Sequence, residues 1–225
     1  MFGASPVYEL KAKIEGVLLS LPPELRKEAL THISYANEVG GRPNERLEYL
    51  GDAVLHLCVA SILFETYPDA PEGDLTRMRA HLVSGSALSA IACKGGLGRH
   101  LKLGRGEQSS GGRSRPRTLA GAFEAVVGAL YLQMGFQDSM EFVRQVVIPA
   151  GGLTVPVDAK TLLQEQVQRE AGGTVEYRVL EVEGPDHLPL YTVSCLINGH
   201  EVSRGKGGSK KEAEEDAAGR FLSKA

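Results

Sequence analysis

The sequence predicts two domains, an all-α domain over residues 1–149 and an α+β domain of order α-β-β-β-α over residues 158–225. Three observations predict this. As far as residue 150, apolar residues recur at three- and four-residue steps between short polar turns, without strand alternation. From Asp158 the pattern becomes three alternating stretches between two helical ones, with Asn198-Gly199 as a hairpin turn. Between the two, Pro149-Ala150-Gly151-Gly152 and the residues up to Pro156 lose helical period, which places a linker at 150–157.

In the first domain the spacing predicts helices near 6–19, 23–37, 44–65, 74–92, 118–132 and 137–147. Pro22-Pro23, Gly40-Gly41, Pro68, Pro71 and Gly95-Gly96 separate them. Residues 103–117 are rich in Gly, Ser and Arg and hold too few apolar groups to order themselves. Two readings of that stretch stand equally: a mobile surface loop, or a phosphate-contacting arm built on Arg113, Arg115 and Arg117. In the second domain the helices are expected at 159–170 and 210–222, and the strands at 175–182, 190–197 and 201–204. Tyr191, Val193, Cys195 and Ile197 share one face of the middle strand.

At 225 residues and 42% hydrophobic, the chain can bury at least one sizeable core. The net charge of −3 excludes bulk basicity as a route to nucleic acid. Residues 1–157 carry 16 Lys and Arg against 16 Asp and Glu, and residues 158–225 carry 9 against 12. Any polyanion must therefore be held by placed clusters. Cys58, Cys93 and Cys195 match no metal-ligand spacing and read as free thiols. No basic-then-apolar leader opens the chain, and no run approaches the ~18 apolar residues of a membrane span, so a cytoplasmic protein without a membrane partner is expected.

The most informative stretch is Asn44-Glu45-Arg46-Leu47-Glu48-Tyr49-Leu50-Gly51-Asp52-Ala53-Val54-Leu55. On a helix, Glu45, Glu48 and Asp52 fall within an arc of roughly 60° that adjoins the apolar stripe. Stacked carboxylates repel one another, and no Lys follows at i+4 to neutralise them. The arrangement favours a divalent-cation site over a solvated acidic face. A second helix, 119–132, is apolar almost all round yet contains Glu124, a costly residue to bury unless it is paired or metal-bound. Gly121, Ala125 and Gly128 form a small-residue stripe that would admit a close neighbour.

Asn44-Glu-Arg-Leu-Glu-Tyr-Leu-Gly-Asp52 resembles the signature of ribonuclease III, the endonuclease specific for double-stranded RNA. The resemblance extends upstream through 29–35 and downstream through Glu72-Gly73-Asp74-Leu75-Thr76-Arg77-Met78-Arg79-Ala80. It implies that Glu48, Asp52 and Glu124 are Mg²⁺ ligands, with Mn²⁺ able to take its place, and that Asp52 and Glu124 are catalytic. Glu45 and Glu72 fall on acidic positions of the cleavage groove. Mg²⁺ takes carboxylate and water oxygens, which suits this composition. One position departs from the family. Three residues before the Glu the family has an Asp, where this chain has Gly121. His32 and His81 read as scaffold, and Arg77 and Arg79 either as surface ion pairs or as an RNA contact.

Gly205-Lys206-Gly207-Gly208-Ser209-Lys210-Lys211-Glu212 carries the argument for the second domain. Ser209 and Glu212 form a capping box, so a helix starts there. Lys210 and Lys211 then lie in its first turn, where the helix dipole disfavours cations and a bound anion would offset them. The block resembles the double-stranded RNA-binding domain. Its other contact regions match Thr161, Gln164, Glu165 and Gln168 on the first helix, and Gly184-Pro185-Asp186-His187 after the first strand. Such domains read A-form shape over ~16 base pairs with little sequence readout.

The resemblance implies a Mg²⁺-dependent homodimeric endoribonuclease, paired through its N-terminal domain. It would leave 5′-phosphate and 3′-hydroxyl ends with short 3′ overhangs, processing ribosomal and other precursor RNAs. The alternative is a double-stranded RNA binder that does not cleave, its metal site impaired at Gly121.

Overall fold

Two long helices cross so closely that two glycines are required where they meet. In the computed structural model of the chain, α4 (Glu45–Thr66) and α8 (Pro116–Gly151) share the most extensive packing of any helix pair. A Cβ on Gly51 would lie 1.8 Å from the Glu124 carbonyl oxygen, and one on Gly128 would lie 2.3 Å from that of Leu47. No side chain fits at either position. The small-residue stripe expected on 119–132 therefore lets the two helices approach backbone to backbone.

The structure describes residues 6–151, 159–185 and 189–223, which fall into two compact units, Met1–Val155 and Pro156–Ala225. Most of the expected linker lies outside the described residues. Around the α4–α8 pair, the first unit sets α1 (Pro6–Ser20), α2 (Pro23–Ala29), α3 (Ile33–Val39), α5 (Glu72–Leu82), α6 (Gly85–Lys94) and α7 (Arg105–Ser109). Leu55, Cys58, Val59, Ile62 and Leu63 of α4 meet Ala122, Phe123, Val126 and Val127 of α8 in the core. Burial of such side chains contributes roughly 1.5–3 kcal/mol each. By length and composition α4 and α8 are apolar enough to cross a membrane, contrary to the sequence reading that no run approaches a span. Much of their apolar surface is buried in this core.

Two expected helices are interrupted, each for an identifiable reason. The helix expected over 23–37 breaks into α2 and α3, because the backbone at 30–32 pairs with Lys102 instead: His32 N–H donates to the Lys102 carbonyl at 3.0 Å and Lys102 N–H to Leu30 at 2.8 Å. His32 then caps α3, its Nδ1 accepting from Ser34 N–H. The helix expected over 74–92 breaks at Ser84, whose hydroxyl caps α6 by accepting from Ala87 N–H. The helices expected at 118–132 and 137–147 are both present, meeting at a kink where Gly135 leaves helical geometry with φ of +83°, and together they make up α8.

Residues 103–117 are not a mobile loop. They form α7 and a turn at Gly112–Ser114, held by charged groups rather than apolar ones. The Arg113 guanidinium donates to the carbonyls of Gly98 (3.0 Å) and Leu101 (2.8 Å). Arg115 pairs with Glu107 at 2.5 Å, and Gly104 and Arg105 N–H donate to Ser34 Oγ and the Glu38 carboxylate of α3.

The second unit is an antiparallel sheet in order β1 (Val175–Glu183), β2 (Leu190–Ile197), β3 (His200–Gly207), with α9 (Ala159–Ala171) and α10 (Lys210–Leu222). Asn198 and Gly199 have φ of +52° and +81°, as the tight turn from β2 to β3 requires. Leu163, Val167, Cys195, Ala217 and Ala218 form its core. β2 is the central strand, so Thr192, Ser194 and Leu196 are buried as well as Val193 and Cys195. β3 runs farther than the expected 201–204, because its glycines pass directly under α10. A Cβ on Gly205 would come within 2.2 Å of Ala217 N, and one on Gly207 within 2.6 Å of Ala213 N.

Candidate active site and a second charged face

The α4–α8 crossing brings acids from two helices to one opening. Gly51 and Gly128 hold the backbones together, so residues a turn to either side of the contact face each other across it. An open pocket of about 650 Å³ lies there, lined by Glu45, Glu48 and Asp52 of α4 and by Gly121 and Glu124 of α8. Glu107, Arg115, Arg117 and His32 complete its polar wall.

The electrostatics follow from crowding. Burial, then the neighbouring Glu48 and Asp52 carboxylates, push the Glu124 carboxyl up to about 7. Glu48 is raised as well, by burial and then by Glu45, against the opposing attraction of Arg117 and His32. Asp52 has its carboxylate 3.6 Å from His56 Nε2, one turn along α4. The pocket is therefore short of positive charge. Its donors are hard carboxylate oxygens, the chemistry that a hard divalent cation takes. Among the described residues, no three His, Cys, Asp or Glu side chains converge closely enough to hold a metal ion by themselves. Water oxygens would have to complete any coordination sphere, as they usually do for Mg²⁺.

Gly121 is more than a missing acid. A Cβ there would sit 2.7 Å from Glu48 Oε2 and 2.8 Å from its Cδ. The Glu48 carboxylate thus lies against the bare α-carbon of α8.

Of the remaining sequence-derived site residues, Glu72 is not brought to the pocket. It opens α5 beyond the 67–71 loop at the opposite end of α4, and its carboxylate accepts from Thr76 Oγ at 2.8 Å. Arg77 pairs with Asp74. Glu107 is not marked out in the sequence because it lies in a stretch that resembles an unstructured loop; α7 and the pairing with Arg115 place it at the pocket.

In the second unit, Gln164, Glu165 and Gln168 are exposed and Thr161 half-buried on the face of α9 opposite Leu163 and Val167. Lys210 and Lys211 are exposed in the first turn of α10. Ser209 Oγ accepts from Glu212 N–H at 3.2 Å, and the Glu212 carboxylate accepts from Gly208 N–H at 3.0 Å. The cap thus reaches one residue farther back than a standard box. Lys210 Nζ stands 3.9 Å from Glu214, a largely buried carboxylate whose nearer partner is Lys160 at 2.5 Å. Lys211 has no ion pair with a described residue. Gly184 and Pro185 are exposed, and His187 lies outside the described residues.

Comparison with known proteins gives a consistent picture over both units. Residues 22–150 match the ribonuclease-III-like family model, and residues 159–224 match the double-stranded RNA binding motif. Ribonuclease 3 of Symbiobacterium thermophilum is 49% identical over 200 residues, 87% of this chain and 85% of that protein. Ribonuclease 3 of Thermobifida fusca is 43% identical over 215 residues, 93% and 89% of the two chains. Among solved structures, the nuclease domain of the Campylobacter jejuni ribonuclease III is similar with a TM-score of 0.55 and 36% identity. That match covers 60% of this chain and 94% of that one, and the solved structure is described as showing flexibility in a region involved in dimer formation.

Proposed function

The chain belongs to the ribonuclease III family and is a double-stranded RNA endoribonuclease, and from that premise we propose that it hydrolyses its substrate with Mg²⁺ at the α4–α8 pocket. The products are 5′-phosphate and 3′-hydroxyl ends, and the substrates are structured precursor RNAs, ribosomal ones among them, in the cytoplasm. One observation carries the reading: Glu48, Asp52 and Glu124 face one open pocket, where burial, and then repulsion from the other two carboxylates, leaves Glu124 holding its proton to about 7.

Glu48, Asp52 and Glu124 would hold the ion, with Glu45 at the rim. When bound, the cation offsets phosphate charge and acidifies water for attack on phosphorus. The chain's own contribution is arrangement. The Gly51–Gly128 contact fixes the distance between the helices that carry the acids, and the buried flank of α8 keeps water away from one side of Glu124. Glu124, whose carboxyl is raised by burial and then by Glu48 and Asp52, would have to release its proton to serve as a ligand.

Duplex RNA would be held by the second unit. Lys210 and Lys211 contact phosphates across the major groove, while Thr161, Gln164, Glu165 and Gln168, with His187, reach the minor groove and its 2′-hydroxyls. We further infer a homodimer through the first unit. Tyr49, Leu57, Phe64, Leu132 and Met134 leave apolar surface exposed on α4 and α8, with Tyr49 82% and Phe64 73% exposed, more than a lone chain needs to display. Two-fold pairing also suits a duplex.

The test is cleavage of a long duplex RNA across a Mg²⁺ titration, with Glu124→Gln alongside. Cleavage that requires Mg²⁺ and fails in the variant supports the reading. Tight duplex binding by the unaltered chain with no cleavage at any Mg²⁺ concentration favours the binder that Gly121 would create.

A further inference from the structure

Arg113, Arg115 and Arg117 are equivalent in the sequence, and the structure separates them. Arg113 is committed to backbone carbonyls, and Arg115 is committed to Glu107. Arg117 is exposed, lines the acidic pocket and forms no ion pair within 4.0 Å of any described residue. It sits in the first turn of α8, four residues before Gly121 and therefore on the same face of the helix.

We propose that Arg117 is the phosphate anchor of the active pocket, its guanidinium contacting a non-bridging oxygen of the phosphodiester that lies over Glu48 and Glu124. This inference rests on the nuclease reading given above.

The charge distribution requires something of this kind. Five carboxylates line the pocket, Glu45, Glu48, Asp52, Glu107 and Glu124, and one of the two arginines there is already paired with one of them. A phosphodiester entering such a pocket is repelled before any cation is counted. Arg117 is a guanidinium that can meet it without first breaking an ion pair. Its planar fork donates two parallel hydrogen bonds, a geometry that matches phosphate oxygens and that Lys cannot reproduce. Its reach is appropriate too, since its charge already acts on the Glu48 carboxylate. That carboxylate lies flat against Gly121, so the space in front of Arg117 on this helix face is not filled by a side chain at 121. The two features complement each other: the helix lacks an acid at 121 and gains a cation one turn earlier.

The experiment compares the full chain with Arg117→Ala and Arg117→Lys on a long duplex RNA. Binding is measured in EDTA across a KCl series, and cleavage is measured in Mg²⁺ with kcat and KM separated. Loss of one phosphate contact should lower the slope of log affinity against log salt by about one per chain and weaken binding several-fold. In Mg²⁺, kcat/KM of Arg117→Ala should fall at least tenfold, with Arg117→Lys restoring the salt slope and only part of the rate.

Wild-type salt slope and kinetics in Arg117→Ala would overturn the proposal while leaving the nuclease reading intact. An unchanged slope with only a shifted Mg²⁺ requirement would also overturn it, because Arg117 would then serve only to neutralise Glu48. A reduced slope in a chain that does not cleave at all would keep the phosphate contact and refute the nuclease reading instead.

Discussion

The Glu48 carboxylate occupies the space in which a side chain on Gly121 would begin, with Oε2 2.7 Å and Oε1 3.0 Å from that position. The atoms in the way are the far end of a flexible side chain, so a substitution at 121 displaces Glu48 rather than the helices. Gly121→Ala should therefore fold and gain up to about 1 kcal/mol from helix propensity. Gly121→Asp adds a further carboxylate beside Glu48 and Glu124. We expect it to lower the melting temperature in EDTA and to raise it more steeply than the unaltered chain as Mg²⁺ is added. Thermal unfolding with and without Mg²⁺ reads both effects, and a Gly121→Asp melting temperature insensitive to Mg²⁺ would contradict a cation site here.

Gly51 and Gly128 are a different case, because their neighbours are backbone. A methyl at Gly51 would overlap the Glu124 carbonyl, and one at Gly128 that of Leu47. The only relief is to move α4 away from α8, which opens the core and separates the acids. Gly51→Ala and Gly128→Ala should each cost about 3 kcal/mol or more, measured by urea unfolding of the first unit's transition. Either variant retaining full stability would mean the helices are not in backbone contact.

The pH dependence follows from Glu124. Its carboxyl is raised from an ordinary value of 4.5 to about 7, so between these values the folded state holds a proton that the unfolded state has released. As far as this group is concerned, stability in EDTA should be highest below about pH 4.5 and should fall as pH rises through 7. Mg²⁺ acts in the opposite sense. Its affinity should rise with pH through about 7, with a proton released on binding, visible as a dependence of calorimetric heat on buffer ionisation. Glu124→Gln should flatten both dependences, and unchanged curves in that variant would remove Glu124 from the account.

Much of this was legible in the sequence, and the parts that were not share a cause. The acidic arc of Glu45, Glu48 and Asp52 and the isolated Glu124 are visible because they break the apolar period of α4 and α8. The Asn198-Gly199 turn is visible because few other residues adopt those dihedrals. What stayed hidden depends on partners distant in the chain. Pairing of 30–32 with Lys102 ends α2, and contact with α10 turns Gly205 and Gly207 from apparent loop into strand. The Gly/Ser/Arg stretch is ordered by Arg113 reaching carbonyls more than ten residues away, which no local composition rule registers. Glu72, grouped with the groove acids on resemblance, lies at the other end of α4 within this chain.

Arg113 supplies a prediction of its own. Its guanidinium donates to the Leu101 carbonyl and to that of Gly98, which also accepts from Leu101 N–H, and hydrogen bonds from a charged donor are worth roughly 1.5–3 kcal/mol. Arg113→Ala should destabilise the first unit by an amount of that order while leaving the salt dependence of duplex binding unaltered. A reduced salt slope with unchanged stability would assign Arg113 to RNA instead.

Lys210 and Lys211 should behave in the opposite way. Both are exposed at the start of α10, and the cap made by Ser209 and Glu212 holds that turn without them. Removing them relieves an unfavourable interaction with the helix dipole, so Lys210→Ala and Lys211→Ala should leave the second unit as stable as before, or slightly more so. Duplex affinity should nevertheless drop, with the salt slope reduced by about one for each lysine removed and no change in preference among duplex sequences. Lys211 should show the larger loss, since Lys210 already spends part of its charge on Glu214. Equal affinity of the double variant for duplex RNA across a salt series would move the phosphate contacts off α10.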